Sequence, residues 1–406
     1  MFRWVFVIVF LLLTWYSSQT IRTAFHSRTW QLVYLGSVLL IYGVTFWLLF
    51  FFPRQNQLGI FRQYLMGLSM GLMVFQVLTV FFLFLEDIVR IFQGITSYFS
   101  KGTRTEDFFL PQRRIFISKT ALIVGALPFG SIIYGMFRGK YHYQIHEHTL
   151  TFKDLPSAFD GFTITQISDL HTGSFDNPKK VAYGFELINQ LASDIIVFTG
   201  DLVNDRTSEV DSYQDIFSSL KAKEGVYSVL GNHDYGDYTT WESQQQKDEN
   251  LLAMHQLHKQ LGWHLLLNES VFLERDGEQI AILGVENWGT GRFRKSGDLQ
   301  KALESVPQNQ FKILLSHDPS HWEAKVLPSP NPIHLTLSGH THGMQFGIEI
   351  PGLIKWSPSS WRYKQWAGVY QKGNQHINVN RGFGYIGYPG RVGIYPEITK
   401  ITLKRA

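Results

Sequence analysis

The pattern of apolar and polar positions divides this chain near residue 137. Before it, hydrophobic residues gather in four long uncharged stretches, 4–21, 29–53, 63–85 and 120–137. A membrane-crossing helix needs about 20 apolar residues, so the pattern predicts four spans. The first is followed by further spans and lacks a small-residue cleavage site, which makes it a retained span rather than a leader. After residue 137 the apolar runs become short and rich in β-branched residues: FTITQIS (162–168), IIVFT (195–199), VYSVL (226–230), FKILL (311–315) and IHLTL (333–337). Such runs predict buried parallel strands. The domain boundaries follow as 1–138 for a four-helix transmembrane region and 139–406 for an α/β domain, with Leu155-Pro156 and Asp160-Gly161 as turns near its start.

Each of the five runs ends in a fragment rich in metal-ligating residues. These are Asp169-Leu170-His171, Gly200-Asp201, Gly231-Asn232-His233-Asp234, Ser316-His317-Asp318 and Gly339-His340-Thr341-His342. Loops at the carboxyl ends of parallel strands are where open α/β sheets gather their sites. Carboxylate, imidazole and amide oxygen suit borderline-hard divalent metals. A lone Asp-x-His is common by chance; five fragments in this order point to a site.

The ordered set resembles the calcineurin-like metallophosphoesterases, over roughly residue 141 to the C-terminus. That family's pattern is D-x-H, G-D, G-N-H-[DE], an isolated His and G-H-x-H, and every part is present. The membrane-anchored bacterial branch is the nearest likeness, through Gly339-His340-Thr341-His342-Gly343 and Asn380-Arg381-Gly382-Phe383-Gly384. The resemblance implies a four-layer α/β/β/α sandwich with two divalent metal ions, manganese, iron or zinc, at the carboxyl ends of the central strands. By the family pattern Asp201 bridges the metals, Asp169, His171 and His342 complete one, and Asn232, His317 and His340 complete the other. Asn204 stands where many relatives carry a second acidic residue.

His233 follows the ligand Asn232 and is left outside both shells, so it is the candidate general acid. Asp234 is either the orienter of that imidazole or a carboxylate capping its own turn. Other residues have blander readings. His142, His146 and His148 lie in a short polar stretch and are expected at the surface. His255 and His258, three apart on a helix expected over 249–262, are expected to face solvent. Arg381 and Arg391 either contact substrate phosphate or tie the glycine-rich tail to the sheet, the second being favoured. The run 356–366 mixes Trp356, Trp361, Tyr363 and Trp366 with Lys355, Arg362 and Lys364, as a membrane-interface belt or a core-covering loop would.

Composition adds limits. The chain of 406 residues has no cysteine, which excludes disulfides and thiolate metal sites. Its net charge of +4 gives no case for nucleic-acid binding. The loops 19–28 and 86–114 carry Arg22, Arg28, Arg90, Lys101, Arg104, Arg113 and Arg114, against Arg3, Arg54, Arg62, Arg138 and Lys140 on the other side. Positive charge favours the cytoplasm, so the catalytic domain is expected outside it. Arg113-Arg114 before the fourth span reads as a twin-arginine export signal or as an ordinary interfacial pair. The expected function is a membrane-anchored, dinuclear metal-dependent phosphoesterase or phosphodiesterase acting on a phosphoester, with lipid-linked esters among its substrates. The alternatives are a pyrophosphatase on a nucleotide-linked lipid of the lipid A precursor type, and a catalytically silent membrane scaffold.

Overall fold

A computed structural model of the chain describes residues 2–51, 59–99, 111–350 and 352–406. Two compact units divide it, Met1–Phe137 and Arg138–Ala406. The first holds helices α1 (Phe2–Phe25), α2 (Arg28–Phe51), α3 (Gly59–Phe99) and α4 (Pro111–Phe137). Its polarity is inverted. Leu40, Ile91 and Ile123 are exposed, while Gln76 is buried and donates through Nε2 to Thr14 Oγ1 at 3.2 Å and to the Tyr34 hydroxyl at 3.1 Å. The Tyr42 hydroxyl donates to Gln76 Oε1 at 3.0 Å. Apolar surface around hydrogen-bonded polar residues is the arrangement of a bundle solvated by lipid. Among the described residues, Arg28–Phe51, Gly59–Thr96 and Gln112–Tyr141 are long and apolar enough to cross a membrane.

Three helices exceed their expected spans, α1 by a few residues and α3 and α4 by two turns or more. The segment read as a loop over 86–114 is helical as far as Phe99, because α3 runs on for 41 residues. Its extension is tied by Glu86 and Asp87, which pair with Arg90 one turn on and with Arg114 of α4. Arg113 Nη2 lies 3.4 Å from Glu86, so both residues of the twin-arginine pair are engaged by α3 carboxylates. Helix α4 begins well before residue 120, with Pro111 in its first turn, a position that suits a residue lacking an N–H. Arg54, Lys101 and Arg104, counted above for orientation, lie outside the described residues, as does the side chain of Arg3.

The second unit is built on strands β1 (Gln144–Phe152), β2 (Thr163–Ile167), β3 (Ile195–Phe198), β4 (Val226–Ser228) and β5 (Trp263–Leu265). Next come β6 (Glu269–Arg275), β7 (Glu278–Gly284), β8 (Phe311–Leu315) and β9 (Leu335–Ser338). The last are β10 (Ile348–Ile350), β11 (Ile354–Trp356), β12 (Gly368–Lys372), β13 (Gln375–Val379) and β14 (Glu397–Arg405). Two six-stranded sheets, ordered β1-β14-β2-β3-β4-β5 and β12-β13-β9-β8-β7-β6, pack together, while β10 and β11 form a separate hairpin. The five runs singled out in the sequence are β2, β3, β4, β8 and β9, and they pair in parallel within their sheets.

Side-chain alternation on each strand explains the layers. Ile195 and Val197 of β3 point into the space between the sheets, meeting Ile280, Ile282, Ile313 and Leu315. Their neighbours Ile196 and Phe198 point the other way, onto Val181, Phe185 and Ile188 of α5 (Pro178–Gln190). On the second sheet Ala281, Leu283 and Leu314 face outward onto Leu299, Ala302 and Leu303. Three apolar interfaces therefore separate four layers, α/β/β/α.

Candidate metal centre

The five ligand-bearing loops leave β2, β3, β4, β8 and β9 at their carboxyl ends. The turns are unusually tight. Asp169, His171, Asp201, His340 and His342 all have positive φ, between 50° and 72°. Aspartate and histidine tolerate that region better than most residues, yet such backbone persists only where surrounding contacts over-determine it. Gly231 has a separate reason to be glycine: a Cβ there would stand 2.7 Å from Asp201 Cγ.

These turns bring the predicted residues into two groups, Asp169, His171 and His342, and Asp201, His317 and His340, each with ligand atoms within 4.8 Å of one another. Asp201 joins the groups. Its Oδ2 lies 3.5 Å from His171 Nε2 and 3.2 Å from His317 Nε2, while its Oδ1 accepts the His233 N–H at 2.8 Å. In the first group His342 Nε2 lies 3.0 Å from His171 Nε2 and 3.2 Å from Asp169 Oδ1. In the second, His317 Nε2 lies 3.2 Å from both Asn232 Oδ1 and His340 Nδ1.

Hydrogen-bond bookkeeping shows what this cluster lacks. His317 Nδ1 donates to the Thr199 carbonyl at 2.7 Å, which leaves Nε2 with only a lone pair when the ring is neutral. Asn232 Nδ2 donates to the Tyr238 hydroxyl at 3.0 Å, so its oxygen faces inward. Lone pairs on His317 Nε2, Asn232 Oδ1 and Asp201 Oδ2 thus converge with no proton among them, and His340 Nδ1 lies beside them. A cation fits there, and without one a proton takes its place. Burial pushes the His317 imidazole down, but the Asp201 and Asp169 carboxylates raise it to about 10. Those carboxylates resist burial in turn: histidines, His342 first for Asp169 and His317 first for Asp201, hold both well below the usual range. Burial lowers His171 and His340, leaving them neutral and able to coordinate.

The neighbouring residues sort by contact. His233 donates from Nδ1 to the Asn204 carbonyl at 2.7 Å, which leaves its Nε2 without that bond. Asp234 makes no hydrogen bond to this ring. Its carboxylate accepts the N–H groups of Leu202 at 2.7 Å, Gly231 at 2.8 Å, Asp201 at 2.9 Å and Val203 at 3.3 Å, so the geometry is that of a loop cap and the orienter reading gives way. Beside Asn204, where many relatives carry a second acid, the Glu209 carboxylate accepts the Asn204 N–H at 2.6 Å and the Gly173 N–H at 3.1 Å. Sequence reasoning also missed Tyr363, whose hydroxyl lies 2.8 Å from His340 Nε2, and Tyr238. Neither carries a motif; both stand on irregular segments.

Comparison with known proteins agrees with this geometry. A family model described as "Calcineurin-like phosphoesterase" matches residues 162–344. The Bacillus subtilis metallophosphoesterase YkuE is 32% identical over 292 residues, covering 70% of this chain and 94% of that protein. The chain belongs to the calcineurin-like phosphoesterase family. A second family model, "Probable Calcineurin-like phosphoesterase, transmembrane domain", matches residues 1–140 of this phosphoesterase. A zebrafish (Danio rerio) transmembrane protein with a metallophosphoesterase domain is 26% identical over 388 residues, 93% of this chain and 81% of that one. The phosphoesterase is thus a membrane protein of a family of metal-dependent phosphoric ester hydrolases.

Among the outlying residues some follow expectation and others differ. His258 is fully buried, not solvent-facing: it sits on the helix Gln244–Gln260 with Nδ1 2.8 Å from Ser228 Oγ, because the helix turns Met254, Leu257 and His258 toward the sheet. His146 and His148 are half-buried on β1, and His142 is exposed. Arg391 is wholly buried, with Nη2 donating to the carbonyls of Gly384 at 2.6 Å and Gly382 at 3.0 Å. Arg381 pairs with Glu397 and Glu349, so both arginines tie the tail. Within 356–366 the residues part company: Trp361 is 79% exposed and Trp366 only 4%.

Proposed function

We propose that the phosphoesterase binds two divalent metals and hydrolyses phosphomonoesters or phosphodiesters, with lipid-linked esters as its substrates. The observation that carries the reading is the single oxygen, Asp201 Oδ2, facing the donor nitrogens of both groups. In this reading Asp169, His171 and His342 hold one metal and Asn232, His317 and His340 the other, with Asp201 common to both. Metals at such a pair polarise a phosphoryl oxygen and acidify water for in-line attack. The chain's own residues do the rest. Thr199 fixes the ring of His317, and Tyr363 that of His340. Asp234 holds the Asp201 and Asn232 loops together through backbone N–H groups. His233, oriented by the Asn204 carbonyl, delivers a proton from Nε2 to the leaving oxygen.

Support for a lipid-linked ester comes from the surface of the same unit. The hairpin of β10 and β11 presents Ile348, Ile350, Leu353, Ile354 and Trp356 to the outside, and exposed Trp361 follows. Contiguous apolar side chains with Lys355, Arg362 and Lys364 nearby suit an interfacial surface. We further propose four membrane passes, with the catalytic unit outside the cytoplasm on the charge bias of the loops. Metal analysis of full-length protein, with hydrolysis of bis(p-nitrophenyl) phosphate and of detergent-dispersed phospholipids, tests the function. Two metals per chain and metal-dependent turnover are expected. One metal with full activity overturns the dinuclear reading, and turnover confined to water-soluble esters overturns the lipid one.

A further inference from the structure

The helical unit carries a second concentration of charge that catalysis does not use. At the end of the bundle where α1 turns into α2, a cavity of about 550 Å³ is lined by Gln19, Arg22, His26, Arg28, Arg90 and Arg114. All four helices contribute an arginine: Arg22 from α1, Arg28 from α2, Arg90 from α3 and Arg114 from α4. With Arg113 the end holds five arginines, against two carboxylates, Glu86 and Asp87, an excess of three positive charges among the described residues. Those carboxylates are engaged by Arg90, Arg113 and Arg114; no ion pair reaches Arg22 or Arg28 among the described residues. In sequence alone, 100–110 carries Lys101 and Arg104 with Glu106 and Asp107, a net charge of zero.

The backbone makes the imbalance greater. His26, at φ 52°, turns the chain so tightly that α2 starts two residues later, with Ser27 Oγ accepting the Trp30 N–H at 3.3 Å. Arg28 therefore opens a helix of 24 residues whose first turn has no acidic residue. The amino end of a helix is already positive, and a cation there is unfavourable. Guanidinium groups gathered beside a helix amino end repel one another, and an anion between them relieves that repulsion. Planar guanidinium forks match phosphate oxygens. Phe25 and Trp30, about 60% exposed beside the arginines, put aromatic rings where membrane proteins meet lipid headgroups. Basic pockets between transmembrane helices take anionic headgroups.

We propose that this cavity is a binding site for a phosphate-bearing anion, the headgroup of an anionic phospholipid or free phosphate. The proposal stands apart from the reading of the metal centre. Full-length protein in detergent is titrated with short-chain phosphatidylglycerol, phosphatidylcholine, sodium phosphate and sodium chloride, and its melting temperature followed, since a ligand of the native state raises it. Phosphatidylglycerol is expected to raise the melting temperature where phosphatidylcholine does not. The variant Arg22→Gln/Arg28→Gln is expected to weaken apparent affinity on the order of tenfold or more, as loss of charge-assisted bonds does. Stabilisation by phosphate as well, with loss in the same variant, assigns the site to free phosphate; stabilisation by phosphatidylglycerol alone assigns it to lipid. If the double variant does not fold, Arg28→Gln alone takes its place. No preference of the wild type for phosphatidylglycerol over phosphatidylcholine or for phosphate over chloride, or unchanged affinity in the variant, overturns the proposal.

Discussion

Replacing Gly231 by alanine tests whether the site depends on the position of one carboxylate. Gly231 does not have a positive φ, so alanine brings no backbone strain and the effect is steric. Its Cβ would stand 2.5 Å from Asp201 N and 2.7 Å from Asp201 Cγ. Carbon contacts are most favourable at about 3.5 Å or more, so Asp201 must retreat by roughly 0.8 Å. Metal–ligand distances hold to within about 0.2 Å, a quarter of that shift, and the displaced group is the one shared between the two donor sets. A misplacement of about 1 Å costs on the order of 10²-fold in rate, or about 2.7 kcal/mol of transition-state stabilisation. Gly231→Ala is therefore expected to lower kcat/KM for bis(p-nitrophenyl) phosphate about a hundredfold and to reduce metal content. Full metal content with activity within about twofold of wild type would refute the reasoning, because Asp201 would then have room the structure does not give it.

Asp201→Asn is expected to cost more activity than any other single ligand change, beyond the roughly 100-fold typical of supporting residues, as measured by turnover and metal analysis; an equal loss in Asp169→Asn would remove Asp201 from its shared position. His233→Ala should keep both metals and slow alkyl phosphodiester hydrolysis by about 10²–10⁴-fold, with a smaller loss on nitrophenyl esters, which need little leaving-group protonation. Loss of a metal, or equal loss on both substrates, counts against the acid role. In metal-free protein the raised His317 contributes stability that is full below its ordinary value near 6.5 and is lost as pH rises through about 10. The melting temperature of chelator-treated protein should therefore fall between those limits while the metal-loaded protein changes less; a flat or rising curve for the metal-free form refutes this. Single cysteines at Ser208 and Ser97 on the cysteine-free chain, exposed to a membrane-impermeant thiol reagent in intact cells, report orientation: labelling of Ser208→Cys alone is expected, and labelling of Ser97→Cys alone reverses it.

The sheet strands and the donor residues were legible because each signal is local. A run such as IIVFT must bury both faces, and in the fold Ile195 and Val197 serve one interface while Ile196 and Phe198 serve the other. A buried aspartate or histidine beside such a run has few reasons to be there other than a ligand. What stayed illegible depends on partners far apart in sequence. Tyr363 reaches His340 from a segment whose aromatic content reads equally as membrane belt or cover. Helix α3 outruns its apolar stretch because Glu86 and Asp87 find arginines on α4, a pairing that hydropathy does not record. His258 looked solvent-facing because spacing along a helix gives neighbours on one face, not which face turns inward.

The backbone of the ligand loops links these two kinds of information. Asp169, His171, Asp201, His340 and His342 hold positive φ at once, and each such residue costs free energy unless contacts repay it. Part of the compensation is visible: Asp169 accepts the His340 N–H at 2.9 Å and Asp234 accepts four N–H groups from two loops. Yet Asp234 is itself under strain, since burial and then the Asp201 charge push its carboxyl up to about 7. A cation beside Asp201 would offset that charge and favour the ionised form of Asp234, which is the form that accepts all four bonds. The residue that closes the G-N-H-D fragment thus ties the loop of Asp201 to that of Asn232 through backbone N–H groups, and a metal beside Asp201 would strengthen that tie.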